Sequence, residues 1–192
     1  MTGILEKLYA SLTLSAVLVL AAIFWYHGYR TPHADQWLTF FVWFHVLSGI
    51  TWIGLLYYFN LVQTPVLPTI PADLKPGVSK YIAPEALFWF RWSALATVAA
   101  GLIVAWLNGY LHNALMLTEP VRSIGSGIWL GLIMAFNVWF IIWPNQKKVL
   151  GIVKVDDAAK AAAGRVAMLT SRVNFVLSLP MLYFMVAFRF LG

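Results

Sequence analysis

Four histidines, seven Asp and Glu residues and no cysteine make up the stock of strong metal-ligating and acid–base side chains in this chain of 192 residues. The absence of cysteine excludes disulfides, thiolate metal sites, iron–sulfur clusters and the covalent attachment of a c-type haem. Glu6, Glu85 and Glu119 are the only glutamates, so paired-carboxylate hydrolysis has little support. No phosphate loop, Ser-His-Asp set or zinc-ligand spacing occurs either. What remains is histidine. His27, His33 and His112 fall at or beyond the ends of apolar runs, whereas His45 falls about two turns inside one. An imidazole in hydrocarbon calls for a partner.

His45, Ser48, Gly49, Trp52, Phe59, Asn60 and Gln63 recur at spacings of three, four and seven, close to one face of a helix. That face is polar, and at Gly49 it lacks a side chain one turn below the imidazole. A flat ring bonded to His45 would fit the gap, which points to haem b with His45 as an axial ligand. The alternative is that His45 bonds a neighbouring helix and Gly49 only lets that helix come close. If both axial ligands are imidazoles, the second comes from His27, His33 or His112, since the sequence singles out no methionine. A break at Asn108-Gly109 would fold Tyr110-Leu111-His112 back toward the membrane and make His112 that ligand. Trp52, among ten tryptophans, would wall a porphyrin or serve simply as core.

Arg91 lies about one turn inside the third apolar run, where a guanidinium is costly unless it snorkels or pairs with a propionate, a substrate anion or a carboxylate. With Asn60, Asn137, Asn145 and Asn174 it could share an interhelical hydrogen-bonded cluster. The cofactor residues read this way are His45, Gly49, Trp52, Arg91 and His112, with His45 and His112 as metal ligands. Gly127 and Gly131 form a GxxxG suited to internal packing or to an oligomer contact, and carry no chemistry.

The elements that must position these residues follow from composition. With 61% hydrophobic and 10% charged residues, the chain lacks the polar surface of a soluble domain, and lipid must be its solvent. Five apolar runs are long enough to cross a bilayer as helices: 4–26, 37–62, 86–107, 123–143 and 173–190. The alternating ten-residue segments of a membrane barrel are absent. The fold class is therefore all-α, a polytopic membrane bundle of about five transmembrane helices forming a single domain over 1–192. Phe24-Trp25-Tyr26 reads as an interfacial aromatic belt, and no small-x-small cleavage site follows, so the first run is a retained span. Prolines from Pro32 through Pro65, Pro68, Pro71, Pro76, Pro84 and Pro120 to Pro144 mark loops between spans. Asp156-Asp157 before an Ala-rich stretch reads as the cap of a helix that runs into the last span.

Ten of the thirteen Lys and Arg residues fall on one side of a five-span topology, six of them in the connection from Lys147 to Arg172. The positive-inside rule then puts the N-terminus in the cytoplasm and the C-terminus outside, in what reads as a bacterial inner membrane. The net charge of +6 is thus loop charge that sets orientation; it is not a nucleic-acid footprint.

The stretch Phe44–Asn60, with its His-x-x-x-Gly-x-x-Trp-x-Gly pattern at His45, Gly49, Trp52 and Gly54, resembles the membrane domain of the PuuD-type urate hydroxylases, the urate oxidase N-terminal family. Glu85–Trp92 and Asn137–Lys148 resemble that family too. The resemblance implies a membrane-embedded redox protein that oxidises a purine or another small molecule. Full-length members end in a cytochrome c domain, for which this chain has neither the length nor the cysteines, so electrons would pass to a separate cytochrome. The second-span pattern is also similar to that of the HemJ-type membrane protoporphyrinogen oxidases, a likeness that implies His45 as haem ligand and Arg91 as its basic partner. A rival reading of another class makes the chain a non-catalytic accessory subunit of a larger respiratory or monooxygenase membrane complex, or a homo-oligomer. A haem-free transporter or porphyrin oxidase would rest on the same His45.

Overall fold

The computed structural model describes residues 6–27 and 34–191; Arg30, Pro32 and His33 lie outside them. The chain falls into two compact units, Met1–Trp37 and Leu38–Gly192. Among the described residues every regular element is helical, the outcome hydrocarbon dictates because it offers no partner to an open backbone N–H or C=O. The first unit holds α1 (Leu8–His27). From Leu38 onward the second unit holds α2 (Ala34–Tyr57), α3 (Ala83–Leu107), α4 (Leu111–Leu115), α5 (Arg122–Phe136), α6 (Trp143–Val149) and α7 (Asp157–Leu191). Five helical stretches are long and apolar enough to cross a membrane: Leu8–Trp25, Gln36–Thr69, Lys75–Leu107, Arg122–Val149 and Asp157–Phe190. They fall where hydropathy predicts spans, and the all-α membrane architecture stands.

The stretches run longer than predicted because three prolines read as loop markers do not stop their helices. Wide π turns occupy Tyr58–Gln63, Val78–Ile82 and Asn137–Ile142, and Pro65, Pro84 and Pro144 each follow one of them two residues later. A proline ring collides with the carbonyl four residues back and offers no N–H to it. Those carbonyls belong to Leu61, Lys80 and Phe140, all within the wide turns, where the i→i+5 pattern moves the carbonyl aside. The helix after the fourth span thus continues through Pro144 to Val149.

Two local expectations hold. The Asp156 carboxylate accepts a hydrogen bond from the Ala159 N–H at 2.7 Å, capping α7, which runs unbroken through the Ala-rich stretch to Leu191. The third span ends at Leu107, Gly109 takes a left-handed φ of 75°, and the chain resumes as the short α4. Gly125 lets α5 meet the backbone of α4 at Ala114, where a Cβ would collide with the carbonyl oxygen. The Trp129 indole N–H donates to the Leu115 carbonyl at 3.0 Å, so α4 is pinned to α5.

The core of the second unit gathers Trp52, Leu56 and Phe59 of the second span, Leu87, Phe90 and Ala94 of α3, Met134 and Val138 of the fourth span, and Met181 of α7. Phe59 and Phe90 meet edge to face with centroids 5.5 Å apart. Of the side chains that sequence periodicity places on one face of the second span, Ser48, Trp52 and Phe59 are buried, while His45, Gly49, Asn60 and Gln63 are half-buried.

Candidate functional site

The His45 imidazole points at α3. Its Nδ1 lies 2.8 Å from the Thr97 carbonyl oxygen. A carbonyl only accepts, so Nδ1 carries a proton, and in the neutral ring the lone pair is on Nε2. Among the described residues nothing engages Nε2. The Thr97 carbonyl is within reach because the ring lies flush against Gly101: a Cβ there would stand 2.8 Å from Cε1 and 2.9 Å from Nδ1. Gly101 is thus the glycine that admits the imidazole between the two helices. Gly49, the gap read from the sequence, faces the Thr97 methyl group, with its Cβ position at an ordinary 3.7 Å.

His45 opens on a cavity of about 530 Å³ inside the second unit, walled by α2, α3, α5 and α7. Along α2 its wall runs from His45 through Gly49 and Trp52 to Gly54 and Tyr57, roughly 18 Å of helix. The facing walls include Gly101 of α3, Gly131 and Leu132 of α5, and Met181 and Met185 of α7. The Cβ positions of Gly54 and Gly131 meet nothing within 4 Å, so two glycines on opposite walls widen the space. Trp52 is 1% exposed, and its indole Nε1 is buried without a hydrogen-bond partner. A second, lipid-facing groove of about 650 Å³ shares Val98 and Leu132 with this cavity and is otherwise lined by aromatic and aliphatic side chains such as Trp129 and Phe136.

Of the residues picked from sequence, the structure brings His45, Gly49 and Trp52 to the cavity wall. His112 lies on an exposed face of α4 and does not line it. His27 closes α1 in the first unit, and His33 lies outside the described residues. Arg91 is not at the cavity either; it sits on α3 six residues before Thr97, about 9 Å along the axis. Its Cζ lies 3.3 Å above the Trp143 ring, a cation–π stack, and its Nε and Nη1 are buried with no hydrogen-bond partner. Among the described residues no carboxylate pairs with it.

The asparagines divide differently from the expected single cluster. The Asn137 amide donates to the Asn174 carbonyl oxygen at 2.8 Å, and Asn174 donates to the Met134 carbonyl at 2.9 Å. Asn60 reaches Ser171 at 2.9 Å. Asn145 bonds only its own helix, at Ile141. These bonds join the second and fourth spans to α7, and Arg91 takes no part. Gly127 packs against Met185 and Phe184 of α7, so half of the GxxxG serves internal packing.

Sequence reasoning missed Gly101, Met181 and Met185. Gly101 is the only glycine of α3, and Met181 and Met185 stand four apart on the last span, so the signal existed but named no partner.

Among the described residues no group of three His, Asp or Glu side chains could hold a metal ion. A haem asks for less, one or two protein ligands and an apolar slot. The donor set fits it: an imidazole with its far nitrogen held by a backbone carbonyl is how proteins orient a metal-bound histidine. The glycine-widened cavity supplies the room. No curated protein and no solved structure matches the chain. Residues 121–191, which carry α5, α6 and α7 and begin after the helices of His45 and Arg91, match the urate oxidase N-terminal family, and this bears out the family resemblance over the last two spans.

Proposed function

We propose that the chain is a haem-b-binding membrane redox protein, with His45 Nε2 as axial ligand, which oxidises a purine or another small molecule and passes electrons to a separate cytochrome. The observation that carries this reading is the His45–Thr97 hydrogen bond, which fixes the imidazole with its lone pair available beside an apolar cavity. Haem bound there would supply a one-electron centre shielded from water. The protein's part is to hold and tune it. Thr97 makes the imidazole a stronger electron donor by accepting a hydrogen bond from its Nδ1–H, the apolar wall lowers the local dielectric, and Trp52 offers an unused N–H. Arg91, with two buried donors unpaired, supports an anionic partner near the same helix, a propionate or a substrate anion. The basic connection from Lys147 to Arg172 would face the cytoplasm.

The test is the visible spectrum of the detergent-purified protein before and after dithionite, with a pyridine haemochrome assay for haem type and stoichiometry. A Soret band whose α and β bands sharpen on reduction, lost in His45→Ala, is the expected result. A His45→Ala protein that keeps its full haem complement would sink the assignment of the ligand. A colourless wild-type protein would favour the accessory-subunit reading.

A further inference from the structure

Granted the reading of the cavity as a haem site, a second axial ligand from this chain would come from the same cavity, and few side chains there can ligate iron. Tyr57 shares its hydroxyl with Ser178 at 3.2 Å. The Thr97 hydroxyl donates to the Ser93 carbonyl at 2.7 Å. The indole of Trp52 donates only. The remaining candidates are the thioethers of Met181 and Met185, one turn apart on α7.

We infer that Met185 is the second axial ligand of that haem. The two methionines differ in depth. Met181 is 5% exposed and packs in the core with Trp52, Leu56 and Phe90. Met185 is only partly buried: it packs on the edge of that core and also, as Leu102 does, against the cluster of Ala105, Ala114 and Ile128, and Leu102 adjoins Gly101, on which the His45 ring lies. Met185 therefore stands nearer the layer of His45 than Met181 does. Its register agrees: Ser178 of α7 meets Tyr57 of α2, and His45 lies about 18 Å from Tyr57 along α2, a distance that Met185, about 10 Å from Ser178, approaches more nearly than Met181, at about 4 Å.

The sulfur packs on a glycine. Met185 Sδ and Cε lie 3.4 and 3.3 Å from where a Cβ of Gly127 would be, so the thioether rests over a residue with no side chain to pin it. An unbranched side chain with three rotatable bonds can turn from there into the cavity. The consequence concerns the type of redox centre. A His/Met pair raises the reduction potential of haem relative to imidazole ligation alone, which suits a centre that takes electrons from an organic molecule. Filling both axial positions also leaves the iron to carry electrons, with no position open for a substrate or oxygen.

The experiment compares wild-type, Met185→Leu, Met185→His and Met181→Leu proteins as purified with haem. Haem content by pyridine haemochrome reports on the cavity reading, and the ligand signatures report on Met185. The oxidised wild-type protein should show a sulfur-to-iron charge-transfer band in the far red and a His/Met signature in near-infrared magnetic circular dichroism. Met185→Leu should keep its haem, lose that band, turn high-spin and fall in potential. Met185→His should return to low spin with a bis-imidazole signature, which a merely structural methionine would not produce, and Met181→Leu should retain the sulfur band. A bis-imidazole signature in the wild type, a sulfur band that survives Met185→Leu, or one abolished by Met181→Leu would overturn the assignment. A wild type without haem would overturn the cavity reading itself.

Discussion

The second unit handles buried polarity in two ways, and the contrast separates structure from function. Around Asn137 and Asn174 each amide finds a protein partner, Asn137 on Asn174 and Asn174 on the Met134 carbonyl, so that polar groups fasten helices together. Around His45 only one nitrogen is satisfied, by Thr97, and the other is left beside space that two glycines, Gly54 and Gly131, help to clear. In hydrocarbon an unsatisfied polar group is expensive. A bundle selected only for stability would close the His45 region as it closed the Asn region, with side chains in place of Gly54 and Gly131. The difference marks one region as joinery and the other as a receptacle.

The largest effect should come from the glycine that admits the imidazole. Gly101→Ala places a methyl group 2.8 Å from the His45 ring, so the ring must swing off the Thr97 carbonyl. On the proposed haem reading, losing an outer-shell partner of a metal-bound histidine typically costs about 10–100-fold in affinity, and haem retention through gel filtration in detergent should drop accordingly. Gly77→Ala, whose methyl group meets nothing within 4 Å and lies away from the cavity, is the matched control and should keep its haem. Equal retention in the two variants would break the contrast.

Next in size is the joinery itself. Asn174→Leu strands the Asn137 amide in the core and should destabilise the protein by about 1–2 kcal/mol, the range for interhelical hydrogen bonds in membranes and for a buried donor left unmade. Thermal unfolding in detergent reads it. Replacing Asn137 and Asn174 together with leucine should recover much of the loss, because no orphan remains. Haem content should not change in either protein. A variant that loses haem at unchanged stability would show that the two regions are one system.

The same contrast explains what could be read in advance. The five spans, the Asp156 cap and the break at Gly109 are local signals, written in consecutive residues by hydropathy, capping chemistry and a left-handed turn. His45 and Trp52 were legible for a similar reason, since the spacing along a single helix shows which face is buried. Gly101 was not, because its role depends on a ring delivered by another helix, and nothing near Gly101 in the chain encodes that meeting. Met185 was hidden likewise among the apolar residues of α7. The prolines misled in the other direction: Pro65 and Pro144 read as stops, but the wide turns before them absorb the clash and the helices go on.

Arg91 stands between the two modes. Its stack on Trp143 satisfies the charge in part, while two of its nitrogens lack partners. Arg91→Gln forfeits an interaction of about 1 kcal/mol. If an anionic edge of the haem uses that charge, transfer of haem to apomyoglobin should become about fivefold easier, by the usual conversion of 1.4 kcal/mol per decade. Arg91→Lys should fall between, since it keeps the charge and loses the planar stack. Transfer rates identical in all three proteins would assign Arg91 to the joinery alone.

The smallest effect expected is also the cleanest test of whether the regions are separable. Pro144 is the reason for the wide turn at Asn137–Ile142. Pro144→Ala restores a backbone N–H and lets the turn tighten to an α-helix, which gains a hydrogen bond and rotates Trp143 away from Arg91. The gain and the loss are each about 1 kcal/mol, so the unfolding midpoint should hardly move. The residues of the fourth span that wall the cavity, Ile128, Gly131 and Leu132, all precede the turn. They are held by the packing of α5 on α7 at Gly127. Rotation beyond Phe136 therefore has no route to His45, and the haem spectrum of Pro144→Ala should superimpose on that of the wild type. A shifted Soret band in that variant would mean that the wide turn sets the cavity as well as the joinery, and the separation between the two regions would fail.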